Sequence, residues 1–179
     1  TMQPNILLCG FGAFGQQHAV AWRAISPKPH LLLAEVDPAA RALALKMWFA
    51  EQDIKGDFND LLSRADIVDI VSSSNSHYSI ASAALLKRIP TIIEKPAVKL
   101  LTEAKRLSEL SIKNNTPVQI QFVLRAHPLV IEAKKLLNTG EIGNLRAMDG
   151  VFTGWKRKRS VSTILENDGV HMLDLMMFF

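Results

Sequence analysis

The stretch Asn5-Ile6-Leu7-Leu8-Cys9-Gly10-Phe11-Gly12-Ala13-Phe14-Gly15-Gln16-Gln17-His18 runs from a largely apolar segment through GxGxxG into helix-forming residues. Asn5–Cys9 reads as a buried strand, because a strand covered on both faces is continuously apolar. Ala13–Ala24 has helix formers with an apolar face and reads as the helix that follows. Each glycine in such a turn answers a different need. Gly10 permits the tight turn, Gly12 lets the backbone approach a pyrophosphate, and Gly15 lets the helix lie close to the strand. The helix N-terminus then offers free N–H groups and the positive end of a dipole. A glycine-rich turn without a ligand has the same spelling, so context decides. Glu35 ends the next apolar run, His30–Glu35, 20 residues after Gly15, where a ribose-binding acid is expected.

The rhythm of strand and helix continues outward from this unit. Asp37-Pro38 starts a helix that runs to about Ala50, with Asp37 as cap and Pro38 at the first helical position. Lys55–Phe58 reads as a short strand, and Asp57 or Asn59 caps a helix through Arg64. Asp66–Ser72 is a fourth strand, with a helix from about His77 to Lys87. Pro90–Glu94 is a fifth strand, closed by Lys95-Pro96. A helix over Thr102–Lys113 and a sixth strand, Val118–Phe122, complete the set. Alternation of this kind predicts an α/β fold with a doubly wound parallel sheet. After Phe122 the character changes. His127-Pro128 starts a helix that stops at Thr139-Gly140, Leu145–Thr153 reads as a strand, and Gly169–Phe179 is an apolar helix. Residues 1–122 are therefore expected to form a dinucleotide-binding domain. Residues 123–179 are expected to be the incomplete start of a C-terminal substrate and oligomerisation domain.

Composition narrows the class. The chain has 179 residues, 48% hydrophobic and 21% charged, which excludes collagen-like and disordered proteins. No apolar run reaches the roughly 18 residues of a transmembrane helix, and no signal peptide is evident at the N-terminus. The single cysteine, Cys9, allows no internal disulfide. A soluble, cytoplasmic protein is expected, with no membrane partner. The formal net charge of +4 suggests no more than a preference for anionic ligands. Lys156-Arg157-Lys158-Arg159 is the densest charge run. It reads first as a solvated loop and second as an anion contact, for example to a phosphorylated sugar. Its only stacking neighbour is Trp155, so no nucleic-acid partner is expected.

Two acids bear on cofactor choice. A carboxylate at Glu35 accepts hydrogen bonds from both ribose hydroxyls and repels a 2′-phosphate, and Asp37 adds to that repulsion. No Arg or Lys follows until Arg41. NAD is therefore expected in preference to NADP. A second informative string, Glu94-Lys95-Pro96, stands at the carboxyl end of the fifth strand, the edge where open α/β sheets bind ligands. Lys95 there can hydrogen-bond a substrate hydroxyl and stabilise developing alkoxide charge; a loop lysine paired with Glu94 is the other reading.

Taken together, GFGAFGQQH (Gly10–His18), Glu35, SSNSH (Ser73–His77), EKP (Glu94–Pro96), RAHP (Arg125–Pro128), TGEIG (Thr139–Gly143) and NDGVHMLD (Asn167–Asp174) resemble the Gfo/Idh/MocA oxidoreductase family. The resemblance covers residues 5–179. It implies a Rossmann domain followed by an α+β domain with a mostly antiparallel sheet. The implied activity is hydride transfer between a nicotinamide cofactor and a hydroxyl-bearing carbon of a sugar, polyol or related small molecule. By the same resemblance, Gly10, Gly12, Ala13, Phe14, Gly15, Glu35, Ser72, Ser73, Asn75, His77, Glu94 and Lys95 would bind the cofactor. Arg125, Asn167, Asp168, His171 and Lys95 would meet the substrate.

In the family the residues matching Lys95 and His171 form the acid–base apparatus, and histidine suits proton transfer near neutral pH. The sequence departs from many family dehydrogenases at Asn167, which holds the place of an aspartate. Asn167 can orient a substrate but cannot accept a proton, and Asp168 is not an assured substitute. A non-catalytic sensor, or an NAD-dependent glycosidase, is the alternative function. His171 and Asp174 lack a third ligand, so no metal is expected. His18 and His127 match family positions that look structural, His77 reads equally as ligand contact or helix start, and His30 has no assigned role. The apolar end of the chain (Met172, Leu173, Leu175, Met176, Met177, Phe178, Phe179) implies packing against further sheet or another subunit. The chain is accordingly expected to be part of a longer, homo-oligomeric enzyme.

Overall fold

In the computed structural model, residues 3–153 and 163–179 are described. Six strands form one sheet: β1 (Asn5–Cys9), β2 (His30–Ala34), β3 (Ile54–Lys55), β4 (Ile67–Ile70), β5 (Thr91–Glu94) and β6 (Val118–Gln121). Their order is β3-β2-β1-β4-β5-β6. β1 pairs in parallel with both β2 and β4, with Leu8 opposite Leu33 on one side and Asp69 on the other. β2–β3 and β4–β5 are parallel as well. Parallel neighbours need crossover segments, and the intervening helices supply them: α1 (Ala13–Ala24), α2 (Pro38–Met47), α3 (Asn59–Leu62), α4 (Ser74–Leu86) and α5 (Leu101–Asn114). The order reverses between β1 and β4, which opens a crevice at the carboxyl ends of those strands.

The strand period of two divides the core between the faces of the sheet. Leu7, Leu32, Val68, Ile70 and Ile93 pack with Ile80, Ala81 and Leu85 of α4 and Leu107 of α5. Ile6, Leu8, Leu31 and Leu33 pack with Ala19 of α1, Ala44 of α2, Phe11 and Phe49. Each fully buried leucine contributes roughly 1.5–3 kcal/mol. This two-sided burial explains why the strands read as unbroken apolar runs. The buried polar exceptions are Asp69, a carboxylate 1% exposed in the middle of β4, and Thr91 and Glu94 at the two ends of β5.

Several boundaries differ from those the sequence suggests. β3 is Ile54–Lys55 where Lys55–Phe58 was expected, and β4 is Ile67–Ile70 within the expected Asp66–Ser72. α2 and α4 differ in ways that bear on the core and the site. α2 starts as expected, with the Asp37 side chain accepting from the Ala39 N–H at 2.9 Å, but it ends at Met47 instead of about Ala50. Phe49 leaves the helix to bury itself edge-on against Phe11, ring centroids 5.4 Å apart. The burial of that ring outweighs the last turn of the helix. α4 starts at Ser74, three residues before His77, with Ser73 extended at the N-cap. His77 therefore stands inside the helix and faces the interior.

The chain forms two compact units, Thr1–Ile120 and Gln121–Phe179. In the second, a 3-10 turn over Val123–Ala126 precedes α6 (Pro128–Thr139). His127 caps α6 by accepting from the Leu129 N–H at 3.2 Å, and Gly140 closes it at φ 78°. A π-helical turn, Leu165–Gly169, leads into α7 (Val170–Phe178). The strand expected at Leu145–Thr153 is not formed; residues 144–153 are irregular. A strand exists only through pairing, and among the described residues of this unit no other segment is extended into a ladder. The antiparallel sheet of the expected second domain is likewise absent from the described residues. Lys156–Arg159 lies outside them. No described helix is long and apolar enough to cross a membrane.

Candidate functional site

The glycine loop follows β1 directly, and the structure separates its three glycines by what a side chain would meet. Gly10 sits at φ +103°, and a Cβ there would lie 2.7 Å from the Ser72 Cα. A Cβ on Gly15 would collide with the Gly10 carbonyl oxygen, so α1 lies against the loop. A Cβ on Gly12 meets nothing within 4 Å. It would stand in the open crevice before the first turn of α1, where backbone N–H groups and the helix dipole favour a diphosphate.

That crevice is a cleft of about 810 Å³ lined by Gly12, Ala13 and Phe14 of the glycine loop, by Glu35, and by Ser72 and Ser73 after β4. The Glu35 carboxylate is held in place by backbone donors, the Phe11 N–H at 2.6 Å and the Asp37 N–H at 2.9 Å. A carboxylate has about four acceptor positions, so two remain for a diol. Arg41 is turned toward the backbone: its Nη1 donates to the carbonyls of Glu35 and Val36 at 2.8 and 2.9 Å. Val36 and Phe14, 80% and 54% exposed, make apolar walls. Val36, Asp57, Phe58 and Ser76 also line the cleft, though the sequence singled out none of them as ligand contacts. Their signal was positional: each falls just beyond the carboxyl end of β2, β3 or β4, the binding edge of such a sheet. Ser76 is oriented by the Ser72 hydroxyl at 2.8 Å and the Ser73 carbonyl at 2.8 Å.

Of the other expected cofactor residues, Asn75 is exposed in the first turn of α4 and does not line the cleft. His77, 2% exposed, is turned inward: Nδ1 lies 3.0 Å from the Pro96 carbonyl and Nε2 3.0 Å from the Ser72 carbonyl. Glu94 and Lys95 stand at the carboxyl end of β5, with Glu94 buried and Lys95 half-buried. Glu94 Oε2 accepts the Lys95 backbone N–H at 3.1 Å, and Oε1 lies 3.4 Å from His18 Nε2. His18 Nδ1 meets Asp69 Oδ2 at 2.9 Å, and Trp22 Nε1 donates to the same oxygen at 2.7 Å. The hydrogen bond to Asp69 and then the close Glu94 carboxylate outweigh burial and raise the His18 pKa to about 9. His18 is thus the charged centre of a buried network beneath the site, more than a packing residue. Burial, assisted by the Asp69 charge, pushes the Cys9 thiol well above its ordinary range, which leaves it inert as a nucleophile. His30 pairs with Asp53 at 3.0 Å.

In the second unit, Asn167 and Asp168 belong to the π-helical turn and His171 to the first turn of α7. Turns of this kind are frequent at functional sites. Arg125, expected to meet the substrate, forms a forked pair with Asp174, Nε–Oδ2 2.9 Å and Nη2–Oδ1 2.5 Å. The guanidinium also lies over the Phe122 and Phe178 rings, 5.5 and 5.0 Å from their centroids. No group of three or more His, Cys, Asp or Glu able to hold a metal occurs among the described residues.

A parallel sheet with a glycine loop at its switch point and an acid just after β2 defines a dinucleotide-binding Rossmann domain. Residues 4–122 match the family described as "Oxidoreductase family, NAD-binding Rossmann fold". The chain belongs to this family, Gfo/Idh/MocA, and its Rossmann domain is of the NAD-binding type. D-apiose dehydrogenase from Paraburkholderia graminis is 27% identical over 181 residues, covering 96% of this chain and 48% of that protein. Levoglucosan dehydrogenase from Pseudarthrobacter phenanthrenivorans is 27% identical over 194 residues, covering 96% and 50%. Among solved structures, scyllo-inositol dehydrogenase from Lactobacillus casei with bound NAD(H) and scyllo-inositol superposes with a TM-score of 0.73 at 26% identity, covering 79% of this chain and 43% of that one. The chain spans about half the length of the curated relatives it matches.

Proposed function

We propose that the protein is an NAD-dependent oxidoreductase acting on a hydroxyl-bearing carbon of a sugar or polyol in the cytoplasm. The observation that carries this reading is Lys95 at the carboxyl end of β5, the edge on which the glycine loop and Glu35 frame the NAD cleft. The relatives named for apiose, levoglucosan and inositol support the substrate class. NAD supplies the hydride acceptor. The chain's own groups manage the hydroxyl proton and the substrate's orientation. Lys95 hydrogen-bonds the reacting hydroxyl and stabilises negative charge on its oxygen as the C–H bond gives up hydride. His171 takes the proton, leaving a carbonyl. Asn167 donates and accepts hydrogen bonds to fix the substrate and carries no proton away, and Asp168 is the neighbouring contact. Arg125 is assigned to anchoring α7 through Asp174, since its fork is committed there. Residues beyond the Rossmann domain complete the substrate site and a homo-oligomer.

The test is NADH formation with a panel of free sugars and polyols, scyllo-inositol included. Saturable NADH production with at least one of them is the expected result. Tight NAD binding without NADH from any of them would overturn the dehydrogenase reading in favour of a cofactor-binding sensor. A hydrolysed glycoside without net NADH would point to glycosidase chemistry. On the cofactor side, Glu35→Ala is expected to weaken NAD about tenfold and to shift the NAD/NADP affinity ratio toward NADP by about 10- to 100-fold, because a half-buried diol acceptor and a phosphate-repelling charge are lost together. Calorimetric titration of both dinucleotides measures it.

A further inference from the structure

Lys95 carries its ammonium on a flexible four-carbon stem, so its aim depends on how firmly the backbone on either side is held. The residue before it, Glu94, is buried, and its carboxylate performs two tasks. Oε2 accepts the Lys95 backbone N–H at 3.1 Å, while Oε1 faces His18 Nε2 at 3.4 Å. The residue after it, Pro96, presents its carbonyl to His77 Nδ1 at 3.0 Å. The two histidines come from different helices, α1 and α4, and each is tied to the dinucleotide cleft. His18 is on the helix that the glycine loop opens. His77 contacts through Nε2 the carbonyl of Ser72, which lines the cleft.

We infer that His18 and His77 are a pair of positioning residues that grip the chain on both flanks of Lys95 and link its placement to the walls of the NAD cleft. The inference rests on the reading of Lys95 as the group that acts on the substrate hydroxyl. Neither ring lines the cleft, so the pair acts through Glu94 and Pro96. A displacement of about 1 Å in a catalytic group costs on the order of 100-fold in rate, which is the scale on which such a grip matters.

The experiment uses the full chain with its lysines reductively ¹³C-dimethylated, a change that keeps their charge. The Lys95 methyl resonance is identified by its loss in Lys95→Arg. His18→Gln and His77→Phe are expected to shift or broaden this resonance while most other lysine signals stay in place, and NAD should bind His18→Gln within about threefold of the parent. His77→Gln, which keeps a donor, should recover part of the parent resonance. With any sugar or polyol that turns over, kcat should fall about 10- to 100-fold in His77→Phe while KM for NAD moves less than about threefold. An unchanged Lys95 resonance in both variants overturns the inference. So does a general collapse of the lysine spectrum accompanied by loss of cooperative unfolding in His18→Gln, His77→Phe and His77→Gln alike, which would make the histidines merely structural. If no sugar or polyol turns over, only the dehydrogenase reading fails, because the resonance reports the grip without turnover.

Discussion

Gly10→Ala is expected to lower NAD affinity by at least about 100-fold and to cost about 3–5 kcal/mol of stability. The residue sits at φ +103°, and an alanine Cβ would come within 2.7 Å of the Ser72 Cα and 2.8 Å of the Ser72 N. A strained backbone costs about 1–3 kcal/mol, and forcing an extra methyl into packed surroundings adds a similar amount. Neither neighbour can give way cheaply. The Gly10 N–H donates to the Ala34 carbonyl at 2.9 Å, so moving the loop pulls on the end of β2. Moving Ser72 instead disturbs the cleft wall and the carbonyl that faces His77. Gly12→Ala is the matched control. Its methyl meets nothing within 4 Å, so the melting temperature should hold within a few degrees while NAD affinity falls about tenfold or more. Thermal unfolding and calorimetric NAD titration of the two variants check both statements. Equal stability losses at the two positions would contradict the assignment of separate roles.

Asp69→Ala is expected to destabilise the first unit by about 3–5 kcal/mol, the scale for removing one member of a buried charged pair. Its Oδ2 receives both Trp22 Nε1 and His18 Nδ1. The substitution leaves an indole N–H unmatched in the interior and His18 dependent on Glu94 alone. The network also sets a pH dependence. His18 is raised from 6.5 to about 9 in the folded protein, through Asp69 first and Glu94 second. The folded state therefore binds the proton more tightly than the unfolded chain does. Its contribution is fully present below about pH 6.5 and is lost as the pH rises through about 9. The parent should lose on the order of 2 kcal/mol across that window, and Asp69→Ala should lose clearly less. Urea unfolding at a series of pH values measures the difference. A parent whose stability is flat from pH 6.5 to 9 would show that His18 is not charged in the fold.

The elements with a local signature were legible in advance. β1 and α1 begin and end where the apolar run, the glycine loop and the helix formers placed them. Asp37-Pro38 starts α2, and His127-Pro128 starts α6, because caps and prolines act within a few residues of themselves. Glu35 stands beside the glycine loop because the spacing of a βαβ unit fixes that meeting. What failed were the places where distant partners intervene. Phe49 ends α2 early to reach Phe11, and the strand expected at Leu145–Thr153 has no described strand to pair with.

The opening stretch, Asn5 to His18, thus determined by itself that the chain makes a dinucleotide-binding α/β sheet, and with Glu35 it pointed to NAD. Hydrophobic period, glycine spacing and capping are local properties, and a single chain carries them in full. The surroundings of His18, His77 and Arg125 were decided only by the tertiary structure. His18 meets Asp69 and Glu94, 51 residues away in the first case, and Arg125 meets Asp174 across 49. No periodicity encodes such a pairing. It arises when the sheet order brings β4 and β5 beneath α1, and when packing within the second unit turns a surface-type cation onto a buried carboxylate.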